Sequence, residues 1–162
     1  MAIETLYTPE QKRRRDASRW TIVQAVLAPF QFLVFIISLA LIIRFLTTGN
    51  GETAATISII LKTATLYAIM VTGAVWEKDV FGQYLFARAF FWEDVFSMLV
   101  LALHTAYLGA LAFGIGGDIA KMQLALAAYA AYVVNAGQFV WKLRLARLQS
   151  PTTAALEAGG VQ

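Results

Sequence analysis

Three ionisable residues lie in a stretch, residues 90–107, that is long and apolar enough to cross a bilayer. Glu93 and Asp94 stand at its start, and His104, the only histidine of the chain, lies near its middle. An ionised side chain at the centre of a membrane costs at least about 2.5–3.5 kcal/mol, so ionisable residues at that depth are candidates for function. Acid–base chemistry and ligand binding are the roles open to these side chains.

Helical geometry places Glu93 and His104 on one face, because eleven residues make three turns and a small remainder. Asp94 is turned from that face by one residue step, and His104 lies about 16 Å deeper than Glu93. A structural explanation also fits: the two acids suit a solvated helix start, and the histidine suits a hydrogen bond to a neighbouring helix. Both explanations stay open at this point.

The composition is that of a membrane protein. Of the 162 residues, 59% are hydrophobic and 14% are charged, whereas soluble domains have roughly 45–50% and about 25%. The absence of cysteine excludes disulfides, thiolate metal sites and cysteine nucleophiles. Four apolar blocks predict an all-α membrane protein, a single integral membrane domain (1–162) with four transmembrane helices in one bundle, at about 20–45, 54–76, 93–113 and 119–141. The polar tail that follows is expected to be loose.

The distribution of Lys and Arg predicts the orientation. Ten of the 13 lie before the first span, between the second and third spans, or after the fourth span, whereas Arg44 and Lys121 lie at the opposite side. Both termini are therefore expected in the cytoplasm. This bias explains the net charge of +3 better than a nucleic-acid partner does. Lys62, near the outer end of the second span, is expected to extend its stem to the lipid headgroups.

Amides and hydroxyls recur inside the predicted spans. Gln24, Gln31 and Ser38 repeat every seven residues along the first span, and Asn135 and Gln138 lie near the end of the fourth. Such residues make hydrogen bonds between helices or contact a ligand. Because lipid offers them no partner, they are expected to face the bundle interior.

The loop between the second and third spans is rich in aromatic residues. It begins and ends with a Trp-Glu pair, Trp76-Glu77 and Trp92-Glu93. This pattern is typical of an aromatic belt at the membrane interface, and it also suits a cover over a flat apolar ligand. The two pairs bring Glu77 toward Glu93 as a further acid.

Five segments, in order and extending over almost the whole chain, resemble the 2-vinyl bacteriochlorophyllide hydratase family of anoxygenic phototrophs. They are RRDASRWT, VLAPFQFLVF, YAIMVTGAVWEKDVFG, FFWEDVFSMLVLALHTAYL and NAGQFVWKLR. The resemblance implies a hydro-lyase of bacteriochlorophyll biosynthesis. It would add water across the C3 vinyl group of a chlorophyllide or bacteriochlorophyllide and give the 3-(1-hydroxyethyl) product.

The resemblance also implies the setting of the reaction. The protein is expected to be a multi-pass protein of the bacterial inner membrane, cytoplasmic or intracytoplasmic and photosynthetic. No cofactor is expected, since magnesium enters only as part of the tetrapyrrole substrate. Besides membrane lipid, the expected partners are a second copy of the chain or other enzymes of the pathway.

Hydration of this vinyl group puts a proton on its terminal carbon and leaves a cation on the inner carbon, which water attacks. A carboxylic acid in a water-poor setting can donate that proton, and a neighbouring carboxylate can stabilise the cation and deprotonate the water. Glu93 with Asp94, or Glu93 with Glu77, supplies such a set, with Glu93 as the first candidate for the donor. His104 is interpreted as an axial ligand to the substrate's magnesium or as the base that activates water. The residues expected to contact the substrate are His104, Gln31, Trp92, Tyr107, Asn135 and Gln138.

Two other functions fit the same residues. A pigment-binding or assembly protein that performs no chemistry would need His104 but not the acids. A small transporter would use the acids and Lys62 as an ion path. The transporter is disfavoured because only Pro29 interrupts a span and no inverted repeat is clear.

Overall fold

The computed structural model describes residues 6–159, with side chains as far as residue 148. This part of the chain forms five helices and no β-strand: α1 (Pro9–Ala17), α2 (Arg19–Thr48), α3 (Glu52–Phe81), α4 (Phe91–Ala112) and α5 (Asp118–Gly159). Helices α2, α3 and α4, and α5 as far as Leu148, are long and apolar enough to cross a membrane. The four predicted spans are thus confirmed as helices, and the chain is a multi-pass membrane protein.

A short surface helix precedes the spans. Thr8 caps α1 through a capping box with Gln11, and Pro9 occupies the first helical position, where its missing N–H costs nothing. Ser18 then ends α1 and caps α2. Its hydroxyl also donates to Asp79 near the carboxyl end of α3, at 2.8 Å. These contacts fix α1 to the end of the molecule at which α2 begins and α3 ends.

Glycines allow the tight connections within two helical hairpins. Gly49 and Gly51 have φ of 69° and 91° between α2 and α3, and Gly114 and Gly116 have φ of 63° and 77° between α4 and α5. Residues with a side chain adopt such angles at a cost, which glycine avoids. The short turns make α2 antiparallel to α3 and α4 antiparallel to α5.

The two hairpins pack against each other along two seams. Contacts are extensive within each hairpin, and fewer join α2 to α5 or α3 to α4; we call these lines the α2/α5 seam and the α3/α4 seam. The shared core includes Ile42, Ile59, Val100, Tyr107 and Tyr129. The outer faces expose large apolar side chains, among them Ile37, Val71, Leu99 and Val140. Such faces suit contact with lipid.

Three expectations from the sequence are wrong. Helix α3 extends through Phe81, so Glu77 belongs to a helix and the loop shortens to residues 82–90. Helix α5 continues to Gly159, so the residues after 141 extend the fourth helix instead of forming a loose tail. Lys62 does not reach the headgroups: it is 0% exposed, because α3 turns it inward, where its ammonium lies 3.5 Å from the centroid of the Tyr132 ring.

Candidate functional site

Three buried carboxyl groups lie where α3 ends and α4 begins. Glu77, Glu93 and Asp94 are only 5%, 6% and 4% exposed. Glu93 and Asp94 belong to the first turn of α4, and Glu77 lies near the end of α3. Together with Lys142 of α5 they form what we call the acid cluster.

Glu77 and Asp94 form a pair across the α3/α4 seam. Their carboxyl groups are close enough to hydrogen-bond to each other. The loop donates one backbone N–H to each: Phe86 N–H to Asp94 Oδ2 at 2.7 Å, and Ala87 N–H to Glu77 Oε2 at 3.2 Å. Successive backbone N–H groups that converge in this way make a concavity suited to negative charge. The loop therefore holds the two carboxyl groups together.

The loop achieves this through a strained residue. Phe86 has a φ of 60°, and within residues 6–159 it is the only residue other than glycine with a positive φ. Such a conformation costs about 1–3 kcal/mol and persists only where the surrounding structure imposes it. Here it directs the N–H groups of Phe86 and Ala87 toward the acids, so the strain is located at the candidate site.

Glu93 has a different environment from the other two acids. It forms an ion pair with Lys142, whose Nζ lies 2.6 Å from Glu93 Oε2, and Lys142 also donates to the backbone carbonyl of Ala89. The backbone carbonyl of Glu93 accepts from Asn135 Nδ2 at 2.8 Å and from Ser97 Oγ at 2.9 Å. Helix α5 thus fixes the start of α4 through a charged group and an amide.

An aromatic group packs beside the acid cluster. The Phe90 ring lies 5.3 Å from Lys142 Nζ. Four further rings surround Phe90 with centroids 5.7–6.4 Å away, those of Tyr7, Trp76, Phe81 and Phe139. Burial raises the pKa of the Tyr7 hydroxyl, so this ring stays neutral and stacks on Phe81. Tyr7, two residues before α1, thereby packs against the aromatic group beside the acid cluster.

A second buried polar group lies deeper along the same helices. The His104 ring donates from Nδ1 to the carbonyl of Val100 at 2.8 Å and stacks on Tyr129 at 5.7 Å. Lys62 lies over the ring of Tyr132, as described above. Lys62 and His104 are near enough to influence each other electrostatically. We call Lys62, His104, Tyr129 and Tyr132 the deep polar group.

Four buried polar atoms in the described part of the chain have no hydrogen-bond partner, and each comes from a different spanning helix. They are Gln31 Nε2, Lys62 Nζ, His104 Nε2 and Gln138 Oε1. An unpaired buried polar group costs about 1–3 kcal/mol. Native proteins keep few such groups, and those that remain often pair with a water molecule or a bound ligand. The interior is therefore suited to receive polar groups from outside the chain.

A cavity of about 230 Å³ opens on the α2/α5 seam, beside the deep polar group. It is lined by Phe35, Leu39, Leu126, Tyr129, Ala130 and Val133. Sites for drug-sized ligands have volumes of roughly 300–1,000 Å³. The seam must widen to admit a large flat ligand.

The structure buries most of the residues singled out in the sequence. Those buried are Glu77, Glu93, Asp94, His104, Gln31, Tyr107 and Asn135. Gln138 is half-buried, as is Gln24, which donates to Thr72 at 2.7 Å. Ser38 is buried, so the amide and hydroxyl stripes do face inward. Trp92 is 68% exposed, and the structure does not bring it to the acids.

Sequence reasoning missed three residues of the site. From the sequence, Lys142 contributes only to the predicted orientation, although it follows Asn135 by seven residues and so shares its helical face. Lys62 is expected from the sequence to reach the lipid headgroups, away from the site. Phe86 gave no signal, because its backbone conformation depends on the folded loop.

Comparison with known proteins gives a consistent result. A protein-family model described as 2-vinyl bacteriochlorophyllide hydratase matches residues 7–145. A protein of Rhodobacter capsulatus named 2-vinyl bacteriochlorophyllide hydratase is 66% identical over 152 residues, which cover 94% of this chain and 88% of that protein. A protein of the same name from Cereibacter sphaeroides is 68% identical over 143 residues, 88% of this chain and 89% of that protein. No solved structure matches.

Proposed function

The chain belongs to the 2-vinyl bacteriochlorophyllide hydratase family, and from this premise we propose which of its residues carry the reaction. The protein is a hydro-lyase of bacteriochlorophyll biosynthesis that adds water to the vinyl group of a tetrapyrrole. The product carries a 1-hydroxyethyl group in place of the vinyl group. The close approach of the Glu77 and Asp94 carboxyl groups, each of which accepts a backbone N–H from the loop, is the observation that carries the assignment of roles.

The Glu77–Asp94 pair is the proton donor. A hydrogen bond between two carboxyl groups needs a proton on one of them, since two carboxylates at that distance repel each other. In the first step this O–H bond breaks and a C–H bond forms at the terminal vinyl carbon. The positive charge that appears on the inner vinyl carbon is delocalised into the macrocycle.

The same pair takes a proton back in the second step. A water molecule forms the C–O bond at the inner carbon and releases one proton to the pair, which restores its starting state. The Glu93 carboxylate, held by Lys142 at 2.6 Å, lies beside the pair and stabilises the cation. Proton and water are the only reactants besides the tetrapyrrole, so no cofactor of the protein's own is required, and magnesium belongs to the substrate.

This assignment moves the role of donor from Glu93 to its neighbours. The reason is geometric: the Glu93 carboxyl group is engaged by Lys142, whereas Glu77 and Asp94 face each other, and two carboxyl groups that share a site hold a proton between them. The amides of Gln31, Asn135 and Gln138 supply polar contacts to the substrate or to water. His104 and Tyr107 line the deeper part of the site, and Trp92 lies at the rim where the ring enters from the interface.

The four helices form one bundle in the inner or intracytoplasmic membrane, with both termini in the cytoplasm. The charge distribution supports this orientation. In this orientation the acid cluster lies at the cytoplasmic end, and Arg144 and Arg147, which follow Lys142 on α5, suit the propionate of the tetrapyrrole. Lipid covers the apolar outer faces, where a second copy or another enzyme of the pathway can also pack.

The decisive experiment uses the purified protein and a 3-vinyl chlorophyllide in isotopically labelled water. Mass spectrometry is expected to find the label in the hydroxyl oxygen of a hydrated product. Tight binding of the chlorophyllide with no product, under conditions where a related hydratase turns over, would indicate a pigment-binding protein instead.

A further inference from the structure

Lys62 brings an amine into the interior of the protein without a hydrogen-bond partner among the described residues. It is 0% exposed, and its Nζ has only the face of the Tyr132 ring, at 3.5 Å. A cation–π contact is worth about 2 kcal/mol or more when desolvated, which is less than an isolated buried ammonium costs. The amine therefore lacks the partner that would make its burial favourable.

The deep polar group lies about 15–22 Å from the acid cluster along the helices, and the longer interval is the fifteen residues from Lys62 to Glu77 on α3. Asp94 and His104 are ten residues apart on α4, and Tyr132 and Lys142 are ten residues apart on α5. At the rise of an α-helix each of these two shorter intervals spans about 15 Å. Two polar sites thus face a stretch of the interior that is comparable with the width of a tetrapyrrole.

The substrate has polar groups on opposite edges. In a chlorophyllide, the edge of the macrocycle opposite the vinyl group carries the ketone of the isocyclic ring. When the vinyl group lies at the acid cluster, that ketone points toward the deep polar group. This orientation rests on the proposed function.

The donors and acceptors that are free in the deep polar group determine which residue can bind the ketone oxygen. His104 uses its Nδ1–H on the backbone, so Nε2 of the neutral ring is an acceptor and cannot pair with a carbonyl oxygen. The Tyr129 hydroxyl already pairs with Ser38 at 2.6 Å. Lys62 presents N–H groups that have no partner among the described residues. We propose that Lys62 binds the ketone oxygen of the substrate and thereby selects tetrapyrroles that carry the isocyclic ring.

The surroundings of Lys62 suit the face of a macrocycle. Phe35 of α2 packs 5.1 Å from Tyr132 and 5.4 Å from Tyr129, and both Phe35 and Tyr129 line the cavity on the α2/α5 seam. Flat aromatic surfaces pack against a conjugated ring by offset or edge contacts. The spacing also places His104 at the far edge of the ring, whereas an axial ligand to magnesium would lie near its centre.

The first test is spectroscopic and needs no turnover. The vibrational band of the ketone is measured for a 3-vinyl chlorophyllide bound to the wild-type protein, bound to Lys62→Met and free in detergent. A hydrogen bond lowers the carbonyl frequency, so the band is expected to shift down in the wild type and to return in Lys62→Met. An unshifted wild-type band would overturn the proposal, and so would an equal shift in Lys62→Met.

The second test compares two substrates, one with the ketone and one from which it has been removed. A hydrogen bond to a charged group is worth about 10- to 100-fold in affinity, so Lys62→Met is expected to raise KM by about that factor for the ketone substrate only. Lys121→Met, which removes a lysine paired with Asp118 at the other end of the molecule, serves as the control. An equal rise in KM for both substrates would show that Lys62 has a structural role and does not bind the ketone. Absence of hydration by the wild type contradicts the proposed function, whereas the band shift tests Lys62 separately.

Discussion

The backbone N–H of Phe86 donates to Asp94 Oδ2 at 2.7 Å from a conformation, φ 60°, that phenylalanine disfavours. The contact links the loop to the first turn of α4 across eight residues. Ala87, the next residue, makes the corresponding contact to Glu77. The relative position of the two acids therefore depends on the backbone of one loop residue.

Substitutions at Phe86 distinguish the contribution of its backbone conformation to activity from the contribution of its ring. Phe86→Gly keeps the N–H and adopts positive φ without strain, so its kcat/KM is expected to stay close to that of the wild type. Phe86→Val also lacks the ring, and its β-branched side chain tolerates a positive φ less well than that of phenylalanine, so a loss of about tenfold is expected. The measurement is the initial rate of hydration of the wild type and the two variants under the same conditions. Equal losses in the two variants would show that the ring, not the backbone, is important.

Removing the shared proton is expected to abolish catalysis. Glu77→Gln and Asp94→Asn keep the size of each side chain but cannot pass a proton, so kcat should fall by about 10²–10⁴ while chlorophyllide binding is kept. Asp79→Asn changes an exposed carboxylate two residues from Glu77 and should leave kcat unchanged. Rates and binding are measured on the same preparations. Normal turnover in both Glu77→Gln and Asp94→Asn would return the donor role to Glu93.

The ion pair between Glu93 and Lys142 should be visible in stability. Glu93→Gln leaves an ammonium without its carboxylate, and Lys142→Met leaves a buried carboxylate, so each single variant is expected to lower the melting temperature in detergent. The double variant leaves neither charge unpaired and should recover much of the loss, because effects within one pair are not additive. Strictly additive shifts in the double variant would show that the two charges are not coupled.

The orientation can be tested because the chain contains no cysteine. Asn50→Cys places a single thiol in the turn between α2 and α3, and Gln83→Cys places one in the loop before α4; both positions are exposed. A membrane-impermeant maleimide added to intact spheroplasts is expected to label Asn50→Cys only, and to label Gln83→Cys after lysis. The reverse pattern would place both termini on the periplasmic side.

Much of the fold follows from local sequence. The lengths of the apolar runs predict the spans, and the glycines predict the turns at 49–51 and 114–116, since both signals act within a few residues. The position of Lys62 could not be predicted in this way. A lysine near the end of a span can extend along lipid or turn inward, and the choice depends on which face of α3 turns toward the bundle interior, where Lys62 meets Tyr132 of α5.

The sequence predicts which acidic residues belong to the site better than it predicts which side chains pair with each other. Two Trp-Glu pairs on either side of one loop indicated that Glu77 and Glu93 would come together. The pairing depends on a rotation of α4 by one residue step, which turns Asp94 toward Glu77 and Glu93 toward Lys142. Two parts of the chain set that rotation. One is Asn135, which lies 41 residues after Asp94. The other is the loop that precedes α4.

The division of the molecule into two hairpins has a consequence for its assembly. Each hairpin can insert into the bilayer as a separate unit, and the units then associate within it. Glu77 belongs to the first hairpin and Asp94 to the second, so the carboxyl pair comes into being only when the hairpins dock. In the proposed mechanism, docking of the hairpins and activation of the enzyme are therefore one event, and a half-assembled chain lacks the proton donor for the vinyl group.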